Sequence, residues 1–249
     1  MTVKHDSINR LRGRTRWSYL AVPEGSSLHL DIGCDRGDLA CLYAIKSRVV
    51  VAIDLDYSLL RDANKKYLDV HFIIASADVL PFKDCSFQTI TMTDLLEHTS
   101  MEEVVISETA RILMQTGTLI FSVPHKGLFD FLDPFNFNRL FPKKLFLFLY
   151  KFFKRTSYNM KNLTRPMHRH YNLKELRCLF HSNFIVKKVH RGGCIFFYFD
   201  WFFSETFYKI LPQFIGDPIM RLLSYISHLE YNVDFGFIAA HLNMILIKK

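Results

Sequence analysis

Apolar residues in the first half of the chain come in short runs, each ending at a glycine or a polar residue and each followed by polar turn residues. Leu28 and Leu30 to Ile32 form the first run and break at Gly33-Cys34-Asp35-Arg36-Gly37. Val49 to Ile53 form the second and end in Asp54. A third, Val70 to Ala75, leads into Ser76-Ala77-Asp78-Val79-Leu80-Pro81-Phe82, and a fourth, Phe87 to Met92, leads into Thr93-Asp94-Leu95-Leu96-Glu97-His98. Such near-continuous apolar runs are the mark of strands buried on both faces. Between them the spacing predicts helices over Leu39 to Lys46, over Leu59 to Tyr67 with Ser58 as cap, and over Glu102 to Met114. In the last of these Val104, Val105, Ala110 and Leu113 face inward, and Gln115-Thr116-Gly117 end it. Thr118 to Pro124 is then a fifth strand, Phe184 to His190 a sixth and Ala239 to Ile247 a seventh, while a short helix over Arg10 to Leu20 precedes the core and is placed to cover a ligand.

Strand and loop alternating in this way make an α/β fold, whose ligands bind outside the carboxyl ends of the strands. Glycine lets the backbone turn tightly and approach a ligand with no Cβ in the way. An acid at the end of the second strand is placed to accept from ribose hydroxyls. Taken alone, a glycine turn serves phosphate sites, dinucleotide sites and purely structural turns alike.

Five separated segments narrow the choice: Leu30-Asp31-Ile32-Gly33-Cys34 with Gly37; Ile53-Asp54; Asp78-Val79-Leu80-Pro81-Phe82 with Ser86-Phe87; Leu96-Glu97-His98; and Arg111-Ile112-Leu113 with Gly117-Thr118-Leu119. In this order and spacing the chain resembles the class I S-adenosylmethionine-dependent methyltransferases, in particular the type 11 group that contains ubiquinone and menaquinone biosynthesis methyltransferases. The likeness runs over about Leu28 to Pro124 and continues weakly at His170-Tyr171 with Leu173 to Phe180. It implies a Rossmann-like, seven-stranded, mostly parallel sheet with helices on both faces and an antiparallel last strand between the fifth and sixth. It also implies a single domain over 1–249 with S-adenosyl-L-methionine as cofactor. The core then takes about 28–126, 168–191 and 235–249, and two helical, aromatic-rich insertions, about 127–167 and 192–234, form a lid and the acceptor pocket.

By the same resemblance Asp31 sits near the methionine ammonium, with the backbone around Gly33, Cys34 and Gly37 along the methionine part. Asp54, followed by Leu55, takes the ribose hydroxyls. Asp78 accepts from the adenine amino group while the Val79 amide addresses the ring, and Thr93 and Asp94 border the reactive end. Asp35 departs from the pattern, standing where the family has its second glycine, although aspartate enters left-handed conformations more readily than most residues.

Methyl transfer from a sulfonium is an in-line displacement that needs positioning and exclusion of water, and no metal. Candidates for a base toward the acceptor are His98, His125, His168, His170 and Tyr171, each of which also reads as a polar side chain fixing a loop. No Asn/Asp-Pro-Pro-aromatic tetrad follows the fourth strand, so exocyclic base amines give way to oxygen or carbon acceptors.

Composition adds location. Five cysteines with no CxxC pair point to reduced thiols in the cytoplasm and to no structural metal. Met1 to Trp17 is basic with no apolar core, hence no secretory signal, and Lys151 and Asp200 interrupt the longest apolar runs, hence no membrane span. Of a net charge of +8, the interval between Asp133 and Glu175 holds the whole excess: ten lysines and arginines and no acid. On a helix drawn from Lys143 to Arg155 the five basic residues share one arc, with Leu147 the one apolar residue on it, and leucines and phenylalanines fill the rest. Segment 139–155 therefore reads as an in-plane helix at an anionic membrane surface, or as a lid helix packing its apolar face on the domain; nucleic acid suits so apolar a face poorly. The expected function is methyl transfer to an oxygen or carbon of a hydrophobic or lipid-linked acceptor at the cytoplasmic membrane surface. The alternatives are a soluble methyltransferase for a small metabolite and a non-catalytic, membrane-associated scaffold that binds the cofactor.

Overall fold

A computed structural model describes residue 8 and residues 11–133, 169–206 and 211–249, with the side chains of 201, 202, 205 and 206 left aside. Segment 139–155 and His168 lie outside the described residues. Among those described, seven strands build one sheet: β1 (Ser26–Ile32), β2 (Ser47–Asp54), β3 (His71–Ile74), β4 (Phe87–Thr93), β5 (Leu113–Pro124), β6 (Phe184–Gly192) and β7 (His241–Lys248). Their order is β3-β2-β1-β4-β5-β7-β6, and the first five pair in parallel. β7 runs opposite to its neighbours. The Lys249 amide donates to Asn183 O just before β6 begins, whereas the Asn243 side chain donates to His190 O near the end of β6. Likewise Lys248 Nζ reaches Leu113 O at the start of β5, and the His125 amide, just past the end of β5, donates to Ala240 O.

Helices α1 (Gly13–Ala21), α2 (Ala40–Lys46), α3 (Tyr57–Lys66), α4 (Glu102–Ile112) and α5 (Leu173–Phe180) pack on this sheet. Alternate strand residues point to opposite faces. Leu30, Ile32, Val51, Ile53, Ile90, Met92 and Phe121 meet Val105, Ile106, Leu176 and Phe180 on one face. Val50, Ala52 and Ile120 meet Tyr19, Tyr43 and Leu60 on the other. Each such side chain, fully buried, contributes about 1.5–3 kcal/mol by transfer from water.

Three local expectations are corrected. Asp56, not Ser58, caps α3: its Oδ1 accepts the amides of Ser58 (2.8 Å) and Leu59 (3.2 Å), so the helix begins at Tyr57. Gln115-Thr116-Gly117 do not separate a helix from a strand. α4 stops at Ile112, and these residues bulge within β5, where pairing with β4 jumps from Phe87↔Leu113 to Thr89↔Thr118 and Thr116 takes φ +61°. Val104 is exposed, and α4 instead buries Val105, Ile106, Thr109, Ala110 and Ile112.

The described residues fall into two compact units. One lies within Met1–Val123, Tyr171–His190 and Leu242–Lys249, the other within Pro124–His170 and Arg191–His241. In the second, α6 (Ile195–Thr206) packs against α7 (Gln213–Tyr231), and Glu230 of α7 accepts the amides of Cys194 and Phe197 at the start of α6. No helix among the described residues is long and apolar enough to cross a membrane.

Candidate functional site

In the first unit the carboxyl ends of β1 and β2 and the loops after β3 and β4 border a cleft of about 190 Å³. Its floor is the turn after β1. Gly33 (φ +76°) donates to Ile53 O, as does Cys34, and a Cβ on Gly33 would stand 3.0 Å from the Leu95 side chain. Gly37 (φ +73°) closes the turn onto Cys34 O, where a Cβ would press to 2.7 Å from the Phe72 ring. Between them Asp35 adopts φ +48°, the left-handed shape that a glycine takes without cost. Its amide donates to Asp54 Oδ2 at 2.9 Å.

Asp54 is thereby fixed from two sides, since its Oδ1 accepts the Asp56 amide at 3.0 Å. Each carboxylate oxygen carries two lone pairs, so each can accept a further hydroxyl from a ligand. Asp54, Leu55 and Asp78 line the cleft, with Ala77 beside Asp78 and with Leu95, His98 and Thr99 from the segment after β4. The loop carrying Asp78 is held from behind by Arg111 of α4, whose guanidinium donates to Leu80 O, Phe82 O, Asp84 and Glu108. Glu108 in turn accepts the Leu80 amide.

Asp31, at the end of β1, is 3% exposed and receives the Thr91 hydroxyl at 2.6 Å. Burial pushes its carboxyl up to about 7; the Thr91 hydrogen bond opposes this and the charge of Asp54 adds to it. Cys34 is buried, and its thiol is pushed far up by desolvation and by the neighbouring acids. Thr93 ends β4 half-buried. Asp94 (φ +50°) accepts the Ser122 hydroxyl and pairs with Arg14 of α1.

Other expected residues are placed differently. The Val79 amide, expected on a ligand ring, donates to Ser76 O at 3.2 Å, and the Val79 side chain is exposed. His98 lines the cleft beside Asp78, the side expected for adenine. Tyr171 is wholly buried in the first unit, its hydroxyl donating to Glu102 (2.7 Å) and lying 3.2 Å from Leu96 O. His125 and His170 belong to the second unit. His125 Nδ1 lies 3.1 Å from Ala239 O, and burial lowers its pKa; His170 Nε2 lies 2.7 Å from Asp133. Arg14, Leu95, Thr99 and Ser122 carry no local signal in the sequence, because each reaches its position only through the pairing of distant elements.

Comparison with known proteins adds the following. Residues 30–121 match the type 11 methyltransferase family, described as "Methyltransferase domain". A probable S-adenosylmethionine-dependent methyltransferase of Mycobacterium tuberculosis is 30% identical over 101 residues, which are 41% of this chain and 37% of that protein. Demethylmenaquinone methyltransferase of Thermus thermophilus is 31% identical over 157 residues, 56% of this chain and 70% of that protein. The match thus spans little more than a third of the mycobacterial relative's length. A putative methyltransferase of Bacillus halodurans shares the fold, with a TM-score of 0.58 at 18% identity over 95% of this chain and 98% of that one.

Proposed function

Because this chain belongs to the S-adenosylmethionine-dependent methyltransferases of the type 11 family, we propose that it transfers a methyl group to a carbon or oxygen of a hydrophobic or lipid-linked acceptor at a membrane surface. The observation that carries the donor side is the Asp54 carboxylate, held by two backbone amides at the rim of a cleft that Asp78 also lines. The residues fit the donor's parts. Asp54 offers paired acceptors to a ribose diol, Asp78 an acceptor to an adenine amino group, Asp31 a carboxylate for an ammonium, and Gly33 a bare backbone for close approach. When bound, the sulfonium would supply an activated methyl group, its sulfur being displaced in line from that methyl as a neutral thioether. The chain's own work is to hold donor and acceptor in line and to keep water out, which is where most of the rate of such a reaction originates.

On the acceptor side, support comes from sequence and kinship. The two insertions are rich in phenylalanine, and the first carries the acid-free basic stretch. The Thermus relative is named for a quinone, a hydrophobic acceptor. In this reading the insertions form the lid and acceptor pocket. The test is incubation with methyl-labelled donor and fractionated cell extract, with Asp54→Ala as control. Label entering the lipid fraction and lost in the variant is the expected result, and Asp54→Ala weakens donor affinity by more than about tenfold through loss of charged hydrogen bonds. Label in polar metabolites instead favours a soluble metabolite enzyme, and donor binding without transfer to any fraction favours a non-catalytic scaffold.

A further inference from the structure

A stripe of buried polar groups runs through the face of the sheet that otherwise packs Val50, Ala52 and Ile120. β1 contributes His29 and Asp31, two residues apart and so on one side; β4 contributes Thr89 and Thr91, which the register sets beside them. His29 and Thr91 are wholly buried and Asp31 nearly so, yet they form a chain: His29 Nε2 to Thr91 Oγ1 at 3.0 Å, and Thr91 Oγ1 to Asp31 Oδ1 at 2.6 Å. A hydroxyl has one proton. When Asp31 is ionised, Thr91 gives its proton to the carboxylate and His29 donates Nε2–H to Thr91, which makes Nδ1 the bare nitrogen; that atom is buried with no hydrogen-bond partner. The imidazole is neutral; burial holds its pKa down to about 3. The Tyr43 ring lies 4.7 Å from it, and the Tyr43 hydroxyl bonds Ser18 at 2.7 Å.

Such a chain is costly to bury, and nothing in the packing of the sheet requires it. Its last member is Asp31, near the carboxyl end of β1 and two residues before Gly33 of the cleft. We propose that Thr91, oriented by His29, is a positioning residue that aims the Asp31 carboxylate at the ammonium of the donor's amino-acid part, and that binding of this ammonium expels one proton from the site. This rests on the cleft being the donor site. Asp31 is faced by Asp54 from β2, Cys34 from the turn, His29 on its own strand, Thr91 from β4 and Tyr43 from α2, with Arg14 of α1 beside Tyr43. Of these His29 is neutral above pH 4, and Cys34 and Tyr43 are pushed far above neutrality, whereas Asp31 is the group that burial brings to about 7. The reaction is a simple transfer: the carboxylic acid of Asp31 gives its proton to solvent, and the carboxylate then pairs with the ammonium.

The experiment is calorimetric titration with S-adenosylhomocysteine, which has the ammonium, and with 5′-methylthioadenosine, which lacks it, at pH 6, 7 and 8 in two buffers of different ionisation enthalpy. The expected result for S-adenosylhomocysteine is affinity rising about tenfold from pH 6 to pH 8, with nearly one proton released per ligand at pH 6 and nearly none at pH 8. Methylthioadenosine binds with a flat profile. Asp31→Asn abolishes the slope. Thr91→Val moves its midpoint upward and weakens S-adenosylhomocysteine at pH 7 by at least about fivefold, Thr91→Ser restores it, and His29→Phe shifts the midpoint in the same direction by less. A flat profile for both ligands, a slope that survives Asp31→Asn, or an unmoved midpoint in Thr91→Val overturns the proposal while leaving the cleft intact. Failure of the wild-type protein to bind either ligand overturns the cleft and the proposal together.

Discussion

Asp35 sits at φ +48° in the turn after β1, a shape that costs an L-residue about 1–2 kcal/mol relative to glycine. Aspartate bears that cost better than most residues, and what the turn offers is a backbone group, the amide that fixes Asp54, which any residue in that conformation supplies. Asp35→Gly is therefore expected to keep donor affinity within about threefold of the parent and to leave the melting temperature unchanged or slightly raised, as measured by calorimetry and thermal unfolding. Asp35→Val is expected to lower both, because a β-branched side chain at positive φ is a genuine outlier. At this scale the sequence was readable. It showed which residue departs from the pattern, and the dihedral shows that the departure keeps the turn. The Val79 amide was not readable, since its tie to Ser76 O depends on how a loop closes on itself.

Strand β1 carries both the buried His29 and the buried Asp31, whose pKa values move in opposite directions on folding. His29 falls from 6.5 to about 3, and Asp31 rises from 3.8 to about 7. Below pH 6.5 the unfolded chain holds a proton on the histidine that the folded chain refuses, so this group makes stability rise with pH from about 3 to 6.5. Above pH 3.8 the folded chain holds a proton on Asp31 that the unfolded chain has lost, so this group makes stability fall from about pH 4 to 7. Between about pH 4 and 6.5 the two cancel. Denaturant titrations should then show the pair adding no slope in that window. Relative to the parent, Asp31→Asn should steepen the rise in stability with pH and His29→Phe should steepen the fall, each approaching about 1.4 kcal/mol per pH unit. Helix α4 supports the opposite side of the cleft through the Arg111 fork. Arg111→Lys keeps the charge but cannot span Leu80 O and Phe82 O together, so methylthioadenosine affinity is expected to fall by about three- to tenfold with its flat pH profile intact. The stretch from Arg111 to Leu119 was visible as part of a pattern; that Arg111 braces the Asp78 loop from behind became visible only in the folded chain.

For the whole molecule, the charge of +8 is concentrated where the sequence has no acid, between Asp133 and Glu175. If that segment meets a membrane, vesicles containing anionic lipid should co-sediment the protein and neutral vesicles should not. Binding should weaken steeply with salt, and Lys143→Glu with Lys144→Glu and Lys151→Glu should remove the preference. Equal binding to both vesicle types, or an unaffected triple variant, would sink the membrane part of the proposed function and leave the methyl donor untouched. The sequence by itself determined the strand-and-loop rhythm and the family motifs in their order, because buried parallel strands and tight turns each demand residue types that show locally. It also marked Asp31, Asp54 and Asp78 as the acids to watch. Tertiary structure alone decided that Tyr171 packs in the core, that α1 reaches Asp94 through Arg14, and that Thr91 lies beside Asp31. Those outcomes depend on pairings between residues far apart in the chain, and a local pattern carries no record of such a partner. The polar residues of β1 and β4 read singly as interruptions of apolar runs; only the register between the strands makes them one chain.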